Sequence, residues 1–127
     1  MIDSSAWIHF FNGSSAAHAK AVAGAIRDDR ATICGPVLTE VLRGCRTPKE
    51  QATVASAFHL LECFPITRAD FVSAGTLGRK LAARGVTAKT VDLIIAHVAM
   101  REKLKLLHHD SDFDGIAAHS ALKLVTV

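Results

Sequence analysis

Short apolar segments alternate with longer helix-like segments along this chain, and that alternation leaves few folds open. Met1-Ile2, Thr32-Ile33-Cys34, Phe64-Pro65-Ile66, Lys105-Leu106-Leu107 and Lys123 to Val127 read as strands. Helices are predicted from Ser4 or Ser5 through Phe11, from about Ala16 to Arg27, and from Gly35-Pro36 through Cys45. Further helices are predicted from Pro48 to about Leu61, from Arg68 to near Gly85, and from Ala88 to Glu102. The start and stop chemistry agrees with this reading. Pro36 stands near a first helical position. Thr47-Pro48-Lys49-Glu50 has the form of a capping box, and Gly85 suits the left-handed residue that closes a helix. His108 to Asp114 reads as a loop. Strands alternating with helices imply an α/β domain whose parallel sheet is covered on both faces.

The composition agrees with one globular unit. With 127 residues, 50% hydrophobic and 21% charged, the chain is long enough for one domain with its own core. No repeat, linker or low-complexity tract divides it. Its longest apolar run, Leu93-Ile94-Ile95-Ala96, is too short to cross a bilayer, and no signal-peptide pattern opens the sequence. A cytoplasmic protein is therefore expected. Cys34, Cys45 and Cys63 are odd in number and lack CxxC spacing, so they read as buried thiols in a reducing compartment. A net charge of +3 permits an acidic or nucleic-acid partner without requiring one.

Four acids fall where a parallel sheet gathers functional groups, outside the carboxyl ends of its strands. Asp3 follows the first strand and Asp110 the fourth. Glu40 lies in the first two turns of the helix leaving the second strand, and Asp92 lies early in the helix that leads into the fourth. Converging carboxylates repel one another unless a divalent cation holds them. Each acid also has a plainer reading. Asp3 could cap the short helix, Glu40 could be an exposed flank, and Asp92 could answer the helix dipole. Asp92 is the hardest to dismiss, because Val91, Leu93, Ile94, Ile95, Ala96, Val98 and Ala99 surround it with apolar residues. Asp110-Ser111-Asp112-Phe113-Asp114-Gly115 has Ala121 where a calcium-binding EF-hand loop needs its closing Glu.

These residues resemble a known family. Asp3-Ser4-Ser5-Ala6-Trp7-Ile8, Thr39-Glu40-Val41-Leu42-Arg43-Gly44, Asp92-Leu93-Ile94-Ile95-Ala96 and His108-His109-Asp110-Ser111-Asp112-Phe113 look like the four signatures of PIN-domain ribonucleases, with VapC-type toxins the nearest match. The resemblance implies a single PIN-like domain over residues 1–127 with a parallel sheet of order 3-2-1-4-5. It implies an Mg²⁺- or Mn²⁺-dependent endoribonuclease, a homodimer, and inhibition by a cognate antitoxin. Asp3, Glu40, Asp92 and Asp110 would form the acidic quartet, with Asp112 an auxiliary metal ligand. Asp3 and Asp110 are expected as direct ligands, Asp92 as a further one, and Glu40 as completing a second position or placing the nucleophile. Ser5 matches a small polar position, while His108 replaces a residue that often carries a hydroxyl. Family members usually have several apolar residues before the first Asp. Here only Met1 and Ile2 precede Asp3, so activity is expected to survive and stability to suffer.

Substrate contacts are expected from Ser5, Arg43, Arg46 and His108, with the basic group Arg43, Arg46 and Lys49 offered to an RNA backbone or an acidic antitoxin tail. Arg79, Lys80 and Arg84 read as a solvated helix face. Aromatic residues are few, so an aromatic stacking platform for RNA is not expected. Trp7 reads as core, and Phe10 and Phe11 as candidates for a dimer interface. His18, His97 and His119 stand alone on helices and read as surface or satisfied core positions, and no Cys/His zinc spacing occurs. Two alternatives remain. A phospho-acceptor receiver would need paired acids after the first strand and a late-strand Lys, and both are missing. A PIN-like module that binds RNA or protein without cutting would keep all four acids.

Overall fold

A computed structural model describes residues 1–127 as seven helices and short parallel strands. In chain order these are α1 (Ser4–Asn12), α2 (Ala16–Arg27), β1 (Thr32–Cys34), α3 (Gly35–Arg43), α4 (Pro48–Phe58), β2 (Glu62–Phe64), α5 (Arg68–Ala82), α6 (Thr90–Arg101), β3 (Lys105–Leu106), α7 (Asp112–Ala118) and β4 (Lys123–Leu124). β1 pairs with β2 and β3 with β4, both in parallel. Met1 and Ile2 are too short to form a strand and make a single parallel bridge from Ile2 to Leu107. They are still pinned on both sides. Ile2 N donates to Thr32 O at 3.0 Å, Asp3 N to Leu107 O at 2.9 Å, and Leu107 N to Met1 O at 2.9 Å.

Successive strand residues point to opposite faces of a sheet. Ile33 and Cys34 are both fully buried, and Leu106 and Leu107 are buried too, so both faces of these strands are covered. Trp7 anchors the core on one side, its ring 4.6 Å from that of Phe58, while Phe11 stays half in solvent. No helix is long and apolar enough to cross a membrane.

Three elements differ from the sequence reading. β2 runs over Glu62–Phe64, two residues earlier than expected, because Pro65 has no N–H for a ladder. Asp112–Ala118 is a helix where a loop was expected to reach Asp114; Phe113 and Ile116, three apart, bury one side of it. Of the three free cysteines only Cys34 is buried, and Cys63 lies exposed on β2.

The position of α6 decides where Asp92 sits, and α5 sets that position. Gly78 lets the two helices approach closely: a Cβ there would stand 2.7 Å from Leu93 Cδ1. Buried Asp70 adds a polar clamp. It caps α5 through the Thr67 N–H at 2.8 Å, and it also takes Arg101 and His97 of α6, the latter at 2.9 Å. The Thr67 N–H foremost, then Arg101 and His97, hold the Asp70 carboxyl well below the usual carboxylate range. At the far end of α5, Val86 N bonds Leu81 O and Gly85 N bonds Ala82 O, with Gly85 at φ +79°, the predicted left-handed closure.

α6 closes in the same way on a residue less suited to it. Leu104 N bonds Ala99 O and Lys103 N bonds Met100 O, with Lys103 at φ +56°. A side chain in that region costs about 1 kcal/mol that glycine avoids. Lys103→Gly is therefore expected to raise unfolding stability by about 0.5–1 kcal/mol, and Lys103→Ala to give no such gain. Urea denaturation at constant m-value checks this.

Candidate metal centre

Different elements deliver each acid to one end of the strands. Asp3 leaves the N-terminal bridge as the cap of α1, and its Oδ2 accepts from Ser5 N at 3.0 Å and from Ser5 Oγ at 2.5 Å. The capping reading and the site reading of Asp3 are thus compatible, since Oδ1 is outside those bonds. Asp92 stands in the first turn of α6. Asp110 follows β3, and its Oδ1 accepts from the Asp112 N–H at 3.0 Å, folding the chain into α7. Oxygens of Asp92, Asp110 and Asp112 all lie within 4.8 Å of one another. The auxiliary acid therefore belongs to the tightest group, and Asp3 and Glu40 stand outside it. Glu40, in the second turn of α3, is held by a 2.7 Å bond from Ser4 Oγ to its Oε2, so it joins the α1 terminus that carries Asp3.

Asp92 carries the strongest electrostatic signal. It is buried, and its Oδ2 has no hydrogen-bond partner. Burial, then the negative charges of Asp3 and Asp110, push its carboxyl up to about 6. Asp3 thus acts on Asp92 through its field although it lies outside the close trio. A lone desolvated carboxylate beside other carboxylates is the arrangement a cation relieves. Every donor is a carboxylate oxygen, the set preferred by Mg²⁺ or Mn²⁺ over softer ions. The residues present fit a hard divalent cation.

Sequence reasoning overlooked two neighbours. Lys89, at the N-cap of α6, places Nζ 3.2 Å from Asp112 Oδ2. Asp112 foremost, then Asp92 and Asp110, raise its ammonium above the ordinary range. Its sequence signal was the spacing of three residues before Asp92, which puts the two on adjoining positions of one helix. In the sequence Ser4 marks only a possible helix start; its contact with Glu40 spans two helices and leaves no local pattern.

The proposed substrate contacts are more dispersed. Ser5 Oγ accepts from His109 N at 2.9 Å while donating to Asp3, so it ties the loop after β3 to the first acid. The His108 ring lies 5.4 Å from that of Phe113 with its Nε2 3.7 Å from Asp114 Oδ1, and its Nδ1 accepts from Asp110 N at 3.1 Å. Arg43 ends α3 and Arg46 follows it, both exposed and free of ion pairs.

Residues 1–119 match the family model described as PIN domain. The chain belongs to the PIN-domain family. This PIN domain is 30% identical over 121 residues to Ribonuclease VapC11 of Mycobacterium tuberculosis (strain ATCC 25618 / H37Rv), covering 92% of this chain and 90% of that one. It matches VapC ribonuclease Mb1587 of Mycobacterium bovis to the same extent. Its fold is also that of VapBC2 from Rickettsia felis, solved bound to a DNA fragment from their promoter. That likeness has a TM-score of 0.79 at 18% identity and covers 98% of this chain and 96% of the other.

The raised carboxyl of Asp92 has a consequence for stability. The folded, metal-free protein favours the protonated acid, so it binds more protons than the unfolded chain between about pH 4 and pH 6. Stability from this group is fully present below pH 4 and is lost as pH rises to 6. Asp92→Asn is therefore expected to raise the stability of the metal-free protein at pH 7, by up to about 3 kcal/mol, and to flatten that decline. Thermal unfolding in chelator across the range checks it.

Proposed function

We propose that this protein is a divalent-metal-dependent endoribonuclease that cleaves RNA phosphodiester bonds as the toxin of a toxin–antitoxin pair. The observation that carries this reading is the unpartnered, buried Asp92 Oδ2 set against Asp110 and Asp112. Relatives named as VapC ribonucleases support the substrate class. A cognate antitoxin, a homodimer and a cytoplasmic setting belong to the same proposal.

Asp92, Asp110 and Asp112 would hold Mg²⁺ or Mn²⁺, with Asp3 contributing from the side. A hard divalent cation there would offset charge on phosphate oxygens and activate water for attack at phosphorus. The chain's own residues prepare that site. Ser5 fixes the Asp3 carboxylate, so its free oxygen keeps one direction. Ser4 holds Glu40 where it can orient an incoming nucleophile or serve a second ion. The Asp112 N–H on Asp110 Oδ1 fixes the turn that brings both acids to Asp92. α6 keeps Asp92 dry, and field effects are larger where water is excluded. Arg43 and Arg46 would meet the RNA backbone electrostatically, and Ser5 and His108 would line its approach.

Asp92→Asn is expected to lower cleavage of labelled RNA on the order of 100-fold or more while the fold persists. Chelator should stop the native enzyme, and Mg²⁺ or Mn²⁺ should restore it. Chelator-resistant cleavage, or near-native turnover by the folded variant, would overturn the reading. Tight RNA binding without any cleavage would favour a silent binding module instead.

A further inference from the structure

His9 and His18, nine residues apart, meet the distant His109 beside the acidic centre without belonging to it. His9 comes from α1, His18 from α2 and His109 from the loop after β3. The His109 ring centroid lies 4.0 Å from that of His9 and 4.3 Å from that of His18, and those two are 5.9 Å apart. His18 Nε2 and His109 Nδ1 are 3.2 Å apart. Two imidazole nitrogens bound to one tetrahedral zinc, each at about 2.0–2.1 Å, are separated by roughly 3.3 Å.

The outer contacts also suit a metal. A ligating histidine usually gives its second nitrogen to an oxygen that fixes tautomer and ring direction. His9 Nδ1 lies 2.6 Å from Ser14 Oγ, and His18 Nδ1 lies 2.9 Å from Ser15 Oγ. Consecutive serines thus hold both Nδ1 atoms, so a shared ligand would take both rings through Nε2. His18 Nε2 also contacts His108 O at 3.0 Å, a bond that would yield to a stronger partner. Their nitrogens do not converge as closely as the oxygens of the three acids, so a shared ion would need the His9 ring to turn.

We propose that His9, His18 and His109 form a zinc site, chemically distinct from the acidic centre beside it. Imidazole suits Zn²⁺, whereas carboxylate-only sites suit Mg²⁺ or Mn²⁺, so the two centres sort ions by donor type. Zinc would tie α1 and α2 to the loop carrying Asp110. The His109 N–H on Ser5 Oγ, and Ser5 on Asp3, extend that tie to the first acid. The assignment does not depend on the acids cutting RNA.

The test is a Co²⁺ titration of tag-free full-length protein in excess Mg²⁺, followed by displacement with Zn²⁺. One equivalent of Co²⁺ should give the visible bands of a tetrahedral site, and one equivalent of Zn²⁺ should abolish them. His18→Gln and His109→Gln should each weaken binding about tenfold or more, and the exposed control His119→Gln should not. Zn²⁺ should raise the melting temperature of the native chain and leave that of His18→Gln unchanged. No saturable binding, or binding lost in Asp92→Asn and kept in His18→Gln, would overturn the proposal.

Discussion

Burying the Asp92 carboxylate without a partner is the constraint around which the rest of this molecule is arranged. A charge in that position is destabilising unless something offsets it, and the chain supplies only partial relief. The first turn of α6 offers the positive end of its dipole, and Lys89 brings an ammonium nearby but bonds Asp112. Helix α6 would otherwise be free to tilt and hydrate the acid. Asp70 prevents this by holding Arg101 and His97 at the other end of the helix, while Gly78 lets α5 close on Leu93. The Asp70 clamp is a satisfied polar network, and the Asp92 trio is not. That contrast separates a satisfied acid from an unsatisfied one within a single helix pair.

The same contrast explains what could be read from sequence. Asp92 was legible because its neighbours are apolar nearly all round the helix, so a lone acid among them demanded an explanation. Asp3 and Asp110 were legible because both follow apolar segments that must be strands. Asp112 was harder. Its prominence depends on α7, a short helix whose Asp and Gly content hides the Phe113–Ile116 spacing. β2 was misplaced because Phe64-Pro65-Ile66 looks apolar, although proline at its centre cannot donate to a ladder. The grouping of His9, His18 and His109 had no local signal, since loop closure between distant elements creates it.

The strand region is small for the positions it fixes. Met1 and Ile2 bury their side chains in the core and bond through the backbone on either side, and those bonds fix where Asp3 leaves the sheet. From there Ser4 and Ser5 distribute the position of α1 to Glu40 and to the loop after β3. A few hydroxyls therefore coordinate three elements at the mouth of the site. Local rules that fail at Asp92 hold around it, the pattern expected where stability is given up for chemistry.

Calorimetry of Mn²⁺ binding at pH 6, in two buffers of different ionisation enthalpy, tests the central claim most directly. With the Asp92 carboxyl near 6, binding should release about half a proton per ion at pH 6 and almost none at pH 8, and Asp92→Asn should release none at either. Binding to the native chain at pH 6 without proton release, or release identical in Asp92→Asn, would contradict the account.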